Sequence, residues 1–248
     1  MKRFLAAMRF LTVAPVPGTW GTAEADLAHS VPFFPVVGLL LGGVAAALAW
    51  AMSLVGPALV VSAFIVIAFE VFSGGFHLDG LSDTADGFLS ARPRERILEI
   101  MKDSHIGVMG AGAIVAVLLV KFASLASLPQ DHLWRAALLM PLAGRSAIVF
   151  HMVLLPYVRP AGLGSIFYRK RQYFASLEAL AILFLVCWAV LGIKGLVVAG
   201  ICIAVTLLLA AYSRHKIGGA TGDTFGAACE VAECVLALTL SLRPFQWT

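Results

Sequence analysis

Ser73-Gly-Gly-Phe-His-Leu-Asp-Gly-Leu-Ser-Asp-Thr-Ala-Asp-Gly87 sets His77, Asp79, Asp83 and Asp86 within ten residues of a chain that is otherwise oily. Only 13% of the 248 residues are charged, and Asp and Glu together number 14. Three of those carboxylates crowd here, directly after an apolar run long enough to cross a bilayer. Like charges so close repel one another, and they persist where a cation such as Mg²⁺ or Mn²⁺ neutralises them. In a helix, Asp79, Asp83 and Asp86 fall at i, i+4 and i+7 on one face, a stripe able to hold one or two hard cations. Gly74, Gly75, Gly80 and Gly87 weaken a regular helix but admit a bulky ligand close to the backbone. The plain alternative is a solvated polar loop or a set of helix caps.

Outward from this island, the chain reads as membrane. Hydrophobic residues make up 60% of it, against about 45–50% in a soluble domain, and the mean hydropathy is +0.94. The excess falls in blocks of the length that crosses roughly 30 Å of hydrocarbon. Seven spans are expected, at about 31–54, 57–73, 106–128, 133–156, 175–192, 194–212 and 224–242. The shortest two, 57–73 and 175–192, are candidates for re-entrant or steeply placed segments. The fold class is therefore all-α: one polytopic helical bundle over residues 1–248, with no linker or second domain.

The net charge of +4 marks topology rather than nucleic-acid binding. Thirteen of the 18 Lys and Arg fall on one side: Lys2, Arg3, Arg9, Arg92, Arg94, Arg96, Lys102, Arg159, Arg169, Lys170, Arg171, Arg214 and Lys216. That asymmetry puts this side and the N-terminus in the cytoplasm and, with an odd number of spans, the C-terminus outside. Phe4, Leu5, Met8 and Leu11 recur at helical spacing, which predicts an amphipathic interfacial helix ended by Pro15 and Pro17. The Gly38-x-x-x-Gly42 pair signals close helix packing. Cys187, Cys202, Cys229 and Cys234 sit in apolar segments without a C-x-x-C pair, as small core residues do.

Three further clusters carry chemistry. In Met101-Lys-Asp-Ser-His-Ile-Gly107, Asp103 or Ser104 is placed to cap the third span, and the small residues after it leave N–H groups for a phosphate near Lys102 and Arg92. In Gly218-Gly-Ala-Thr-Gly-Asp-Thr-Phe-Gly226, Asp223 stands between Thr221 and Thr224 at the start of the seventh span, again a helix N-terminus poised for an anion or metal; a plain turn with a Thr or Asp cap is the bland reading. Inside the spans, Glu70, Arg145, Glu230 and Glu233 must face the protein interior and find partners. Glu230 and Glu233 share a face with Asp223, so they join the candidate metal set, with a structural ion pair as the alternative. In the loop after the fourth span, Arg159 is placed to grip a phosphate and Tyr157 to stack on a base. Carboxylates, glycine-rich helix starts and cations on one membrane face are the parts of phosphoryl-transfer chemistry.

Gly75-Phe-His-Leu-Asp-Gly-Leu-Ser-Asp-Thr-Ala-Asp-Gly87, Met101-Lys-Asp-Ser-His-Ile-Gly107 and Gly219-Ala-Thr-Gly-Asp-Thr-Phe-Gly-Ala227, in that order, resemble the cobalamin synthase family, also called adenosylcobinamide-GDP ribazoletransferases. The likeness runs nearly end to end and takes in Arg145, Glu230 and Glu233; His105 departs from the Arg or Lys expected there. The resemblance implies a Mg²⁺-dependent enzyme of the bacterial inner membrane, multi-pass, with its active site on the cytoplasmic face. The hydroxyl or phosphate end of α-ribazole (or its 5′-phosphate) would attack the corrinoid-side phosphate of adenosylcobinamide-GDP, GMP would leave, and adenosylcobalamin or its 5′-phosphate would form. On this chain Asp79, Asp83 and Asp223 would be metal ligands supported by Asp86, with Glu230 and Glu233 in the wider set. His77 or Asp103 would be the base, and Lys102 would assist. Arg92, Ser104, Gly107, Arg145, Arg159, Thr221, Gly222 and Thr224 would hold phosphate. The expected partners are the two substrates and the bilayer, not nucleic acid; homo-oligomerisation is compatible with the sequence.

Two rivals are set against this. A CDP-alcohol phosphotransferase also gathers aspartates at a helix end, but Ser82-Asp83 stands where its pattern needs Ala-Arg. An ion-coupled transporter would use Glu70, Arg145, Glu230 and Glu233, yet it keeps its key charges at the midplane on broken helices, whereas most charges here fall at one interface.

Overall fold

The computed structural model describes residues 1–159, 162–169 and 172–245; Lys170 and Arg171, counted above among the basic residues of one face, lie outside them. Among the described residues there are eleven α-helices, and the one extended pairing is a parallel bridge between Tyr157 and Ala220.

The amphipathic N-terminal stretch forms α1 (Lys2–Leu11). It does more than rest at the interface, because Ala7 and Leu11 pack into the same core as Phe34 and Val37. The Arg9 guanidinium then donates to the carbonyls of Val16 and Gly18, tying down the proline-containing segment that follows. A short α2 (Glu24–Ala28) leads into the bundle.

Six helices are long and apolar enough to cross a membrane. They comprise α3 (Phe34–Ser53), α7 (Val108–Ala126), α8 (Leu133–Leu154), α9 (Tyr173–Leu191), α10 (Ile193–Ile217) and α11 (Gly222–Ser241). A seventh segment, α4 (Ala58–Ser73), is 16 residues long and hence about 24 Å at 1.5 Å per residue; together with residues 76–88 it forms a bent pair, a broken span or the re-entrant segment the sequence allowed at 57–73. Its ends lie on opposite faces. The Gln130 amide donates to the carbonyls of Ser53 and Gly56 ahead of α4, on the side where α7 joins α8. At the other end Val13 N–H bonds the Phe72 carbonyl beside the N-terminal segment. The expected re-entrant character of 175–192 is not seen, since α9 is a regular helix. The sixth span runs on past residue 212 to Ile217, and its last turn holds Arg214 and Lys216, cations that suit a helix C-terminus.

The polar island is helical, as its spacing required: α5 (Phe76–Phe88). It bends 90° away from α4. Gly74 and Gly75 supply that turn with φ of 63° and 72°, left-handed values that other residues adopt only at a cost. So turned, α5 leaves the spanning segment and lies across the starts of α11 and α7. A side chain at Gly80 would stand 2.7 Å from the Asp223 carbonyl, and one at Gly226 would stand 2.8 Å from the His77 carbonyl. The missing Cβ atoms are what bring the two motifs backbone to backbone. After α6 (Arg94–Ile100), the Arg94 guanidinium donates to the Ile217 carbonyl at the end of α10.

With lipid on the outside, such helices associate through close packing and polar contacts rather than hydrophobic driving force. Gly38 and Gly42 do lie against the α8 backbone at Pro141 and Leu138, as the small-residue pair predicted. The four cysteines are unbridged, and Cys187, Cys202 and Cys229 are buried, in keeping with a core role.

Candidate active site at the helix starts

Where α5 meets α11 a cavity of about 170 Å³ opens, lined on its polar side by His77, Asp79, Arg159, Gly222 and Asp223. Asp79 stands in the first turn of α5 and Asp223 in the first turn of α11. Arg159 reaches them from the loop after α8. Its Nη2 sits 2.6 Å from Asp223 Oδ2 and also donates to the Met101 carbonyl at 3.0 Å. The loop is fixed in turn to the lead-in of α11, for Val158 N–H bonds the Ala220 carbonyl and Ala220 N–H bonds the Pro156 carbonyl. Asp83 lies one turn beyond Asp79. Burial first, then the Asp223 and Asp79 carboxylates, push its carboxyl up to about 7, which is the repulsion the sequence spacing foretold. His77 is buried, and its Nε2 has no hydrogen-bond partner. Burial and the cations of Arg145 and Lys121 hold its imidazole well below the ordinary range, so it is neutral, and the same causes oppose its taking up a proton.

Asp86 points elsewhere. Gly107 N–H donates to its Oδ2 at 2.7 Å and Gly110 N–H to its Oδ1 at 2.8 Å. It therefore caps α7 from a neighbouring helix, the role the sequence had suggested for Asp103 or Ser104. Those N–H groups, including that of Gly107, are taken by a carboxylate of the protein and are not offered to a phosphate. Asp103 instead pairs with His105 at 2.6 Å on the exposed surface; that hydrogen bond holds Asp103 below the usual carboxylate range and His105 above its own. Asp103, Lys102, Ser104 and Arg92 are all exposed and do not line the cavity. Replacing Asp86 by Ala should lower stability by about 1–2 kcal/mol, as loss of a capping carboxylate does. Thermal melting checks this, and activity should persist below the lowered melting point.

Thr221 and Thr224 form a reciprocal capping box at α11 and are fully buried. Their hydroxyls serve the helix start, so the phosphate contact expected of them is replaced by the simpler capping role. Of that cluster, Gly222, Asp223 and Phe225 line the cavity.

Glu230, Glu233 and Arg145 also part from the cleft. Lys121 Nζ stands 2.6 Å from Glu230 Oε2, 2.8 Å from Glu233 Oε2 and 3.7 Å from Glu70 Oε1. Arg145 is bonded to Glu233 Oε1. This is the ion-pair alternative, and it occupies the oxygens a metal and the guanidinium a phosphate would need. The network ties α4, α7, α8 and α11 together beneath the site. Lys121 drew no role from the sequence, although a lone lysine in an apolar span is itself a signal.

Six helices long and apolar enough to cross a membrane, or seven with the bent pair, and a charged cleft at one end of the bundle mark a multi-pass membrane protein. The family model described as cobalamin-5-phosphate synthase matches residues 3–241, and the chain belongs to that family. Among its relatives, it is 44% identical over 240 residues to the adenosylcobinamide-GDP ribazoletransferase of Roseiflexus sp., covering 95% of this chain and 88% of that one. It is 38% identical to the protein of that name from Acetivibrio thermocellus, over 93% and 94% of the two chains, and 36% identical to that of Klebsiella pneumoniae, over 97% and 99%. No solved structure matches.

Proposed function

We propose that this protein transfers the cobinamide-phosphate part of adenosylcobinamide-GDP to α-ribazole or its 5′-phosphate, releasing GMP. The observation that carries the reading is the juxtaposition of Asp79, Asp223 and Arg159 at one cleft, with Asp83 close enough to feel all three, in a chain that matches this family nearly end to end. In the reaction a ribose hydroxyl oxygen bonds to the corrinoid-side phosphorus, and the bond from that phosphorus to the oxygen shared with GMP breaks. The hydroxyl proton passes to a base, and GMP departs with the electron pair.

Among the described residues no three His, Cys, Asp or Glu side chains form a ready-made metal cage. That suits Mg²⁺, which takes one or two carboxylates, keeps several waters and completes its shell with substrate phosphates. Asp79 and Asp83 would hold it, with Asp223 beside them, and when bound it supplies charge neutralisation at the pyrophosphate. Arg159, aimed by Asp223, spreads the charge that develops on the transferred phosphoryl group. Neutral His77, with its unpartnered Nε2, would accept a hydrogen bond from the attacking hydroxyl and orient it. The excess of basic residues around the site supports a cytoplasmic-facing site, and with it a location in the bacterial inner membrane.

Because Asp83 binds a proton with a midpoint near 7, metal and proton compete for it. Mg²⁺ affinity should fall as pH drops from about 8 to 6 and level off above; Mn²⁺ titration followed by electron paramagnetic resonance checks the slope, which Asp83→Asn should flatten. The function itself is tested with purified protein in lipid nanodiscs, adenosylcobinamide-GDP and α-ribazole. GMP release that needs both substrates and stops with EDTA is expected. No GMP release with both substrates and Mg²⁺ present would refute it.

A further inference from the structure

The cavity has a second character that the transfer chemistry does not use. Alongside its charged groups it is lined by Phe10 from α1, Phe76 from α5, Tyr157 and Phe225. These come as two aromatic pairs: Phe10 meets Phe76 edge-to-face at 5.7 Å between ring centres, and Tyr157 meets Phe225 at 6.4 Å. Four elements distant in sequence thus converge their rings on one small space. An enclosed apolar space of about 150 Å³ admits a benzene ring. The present cavity, about 170 Å³ and open on one side, takes a flat aromatic group and excludes a macrocycle the size of a corrin.

Resting on the transfer reaction above, we infer that the aromatic half of this cleft is the seat of the nucleoside acceptor's base, and that it selects a flat, apolar, two-ring base. A guanine would also stack, but its edge carries donors and acceptors that demand partners when buried. Among the four rings that line this side, the Tyr157 hydroxyl is the one polar atom. A dimethylbenzimidazole presents two methyl groups on its outer edge and needs none. With the base seated between the rings, the attached ribose reaches toward His77, Arg159 and Asp223, where its hydroxyl must react. The corrinoid arm then enters from the open side with its pyrophosphate alone reaching the charged groups. The N-terminal helix α1, which the transfer chemistry leaves without a task, thereby gains one through Phe10.

The test uses the full chain in nanodiscs and reads binding apart from turnover. Phe76 is 43% exposed, so Phe76→Ala removes a stacking surface without opening the core; Tyr157→Leu is the second variant. Equilibrium binding of α-ribazole alone, by calorimetry, should weaken about tenfold in each, the size of effect that losing an aromatic stack produces. KM for α-ribazole should rise in parallel, while KM for adenosylcobinamide-GDP changes less than twofold. A ribazole analogue without the methyl groups should bind wild type more weakly, and guanosine should not compete. Should the variants raise KM for adenosylcobinamide-GDP and spare α-ribazole, or should guanosine displace α-ribazole, the seat belongs to the leaving nucleotide and the inference is overturned. Unchanged α-ribazole binding in both variants overturns it as well. Absence of GMP release by the wild-type protein would instead strike the proposed reaction, because the α-ribazole dissociation constant is measured without turnover.

Discussion

Lys121→Met is expected to destabilise the protein by about 3–5 kcal/mol, the usual result of removing one partner from a buried ion pair. The ammonium is fully buried between Glu230 and Glu233, with Glu70 close by. Methionine keeps the length of the side chain but leaves carboxylates in the hydrocarbon-depth interior with Arg145 as their remaining cation. An uncompensated charge there is far more costly than a lost surface pair. In lipid or mild detergent the melting temperature should drop by about 10 °C, taking roughly 2–4 °C per kcal/mol for a chain of this size. The double variant Lys121→Met with Glu230→Gln should recover part of the loss, since it removes one of the stranded charges. A melting curve unchanged in the single variant would show that the network contributes nothing to the bundle.

The second large effect belongs to the cleft. Asp79→Ala should reduce GMP release on the order of 10³-fold, the scale seen when a group that stabilises transition-state charge is lost. Its melting point should hold or rise, because Asp79 faces like charges, and removing it relieves the repulsion on Asp83. Loss of activity together with retained stability separates a functional carboxylate from a structural one. Normal turnover in Asp79→Ala would remove this carboxylate from the site.

The contrast between these two residues shows what the sequence reveals. The spans were legible because bilayer thickness writes itself into the length of apolar runs, and the bundle follows with small shifts at the ends. The carboxylate island was legible because repelling charges within two helix turns need a reason to stay. That Asp79 and Asp83 approach Asp223 was hinted at only by glycines in both motifs, and it became a contact when Gly80 met the α11 backbone. Other roles depended on pairings between distant segments. Asp86 sits on the same stripe as Asp83, yet it bonds N–H groups 21 and 24 residues away, and no local pattern distinguishes a ligand from a cap supplied by another helix. Glu230 and Glu233 share a face with Asp223, but helical spacing says nothing of how far down a helix a cleft extends or of Lys121 waiting on α7. Thr221 and Thr224 could be read either way until the box closed between them. Phe10 and Phe76 look like ordinary membrane-facing aromatics; only the docking of α1 against the bundle turns them toward the site.

The proposed reaction needs a divalent cation, which Asp79 and Asp83 on α5 and Asp223 on α11 would hold at one membrane face beside the substrate's pyrophosphate. Phosphorus-31 resonance of adenosylcobinamide-GDP bound to the protein, with Mn²⁺ in place of Mg²⁺, reads that contact directly. Strong paramagnetic broadening of both pyrophosphate signals is predicted in the wild-type protein, and its loss in Asp79→Ala and Asp83→Ala at equal substrate occupancy. Broadening that persists undiminished in both variants would contradict it.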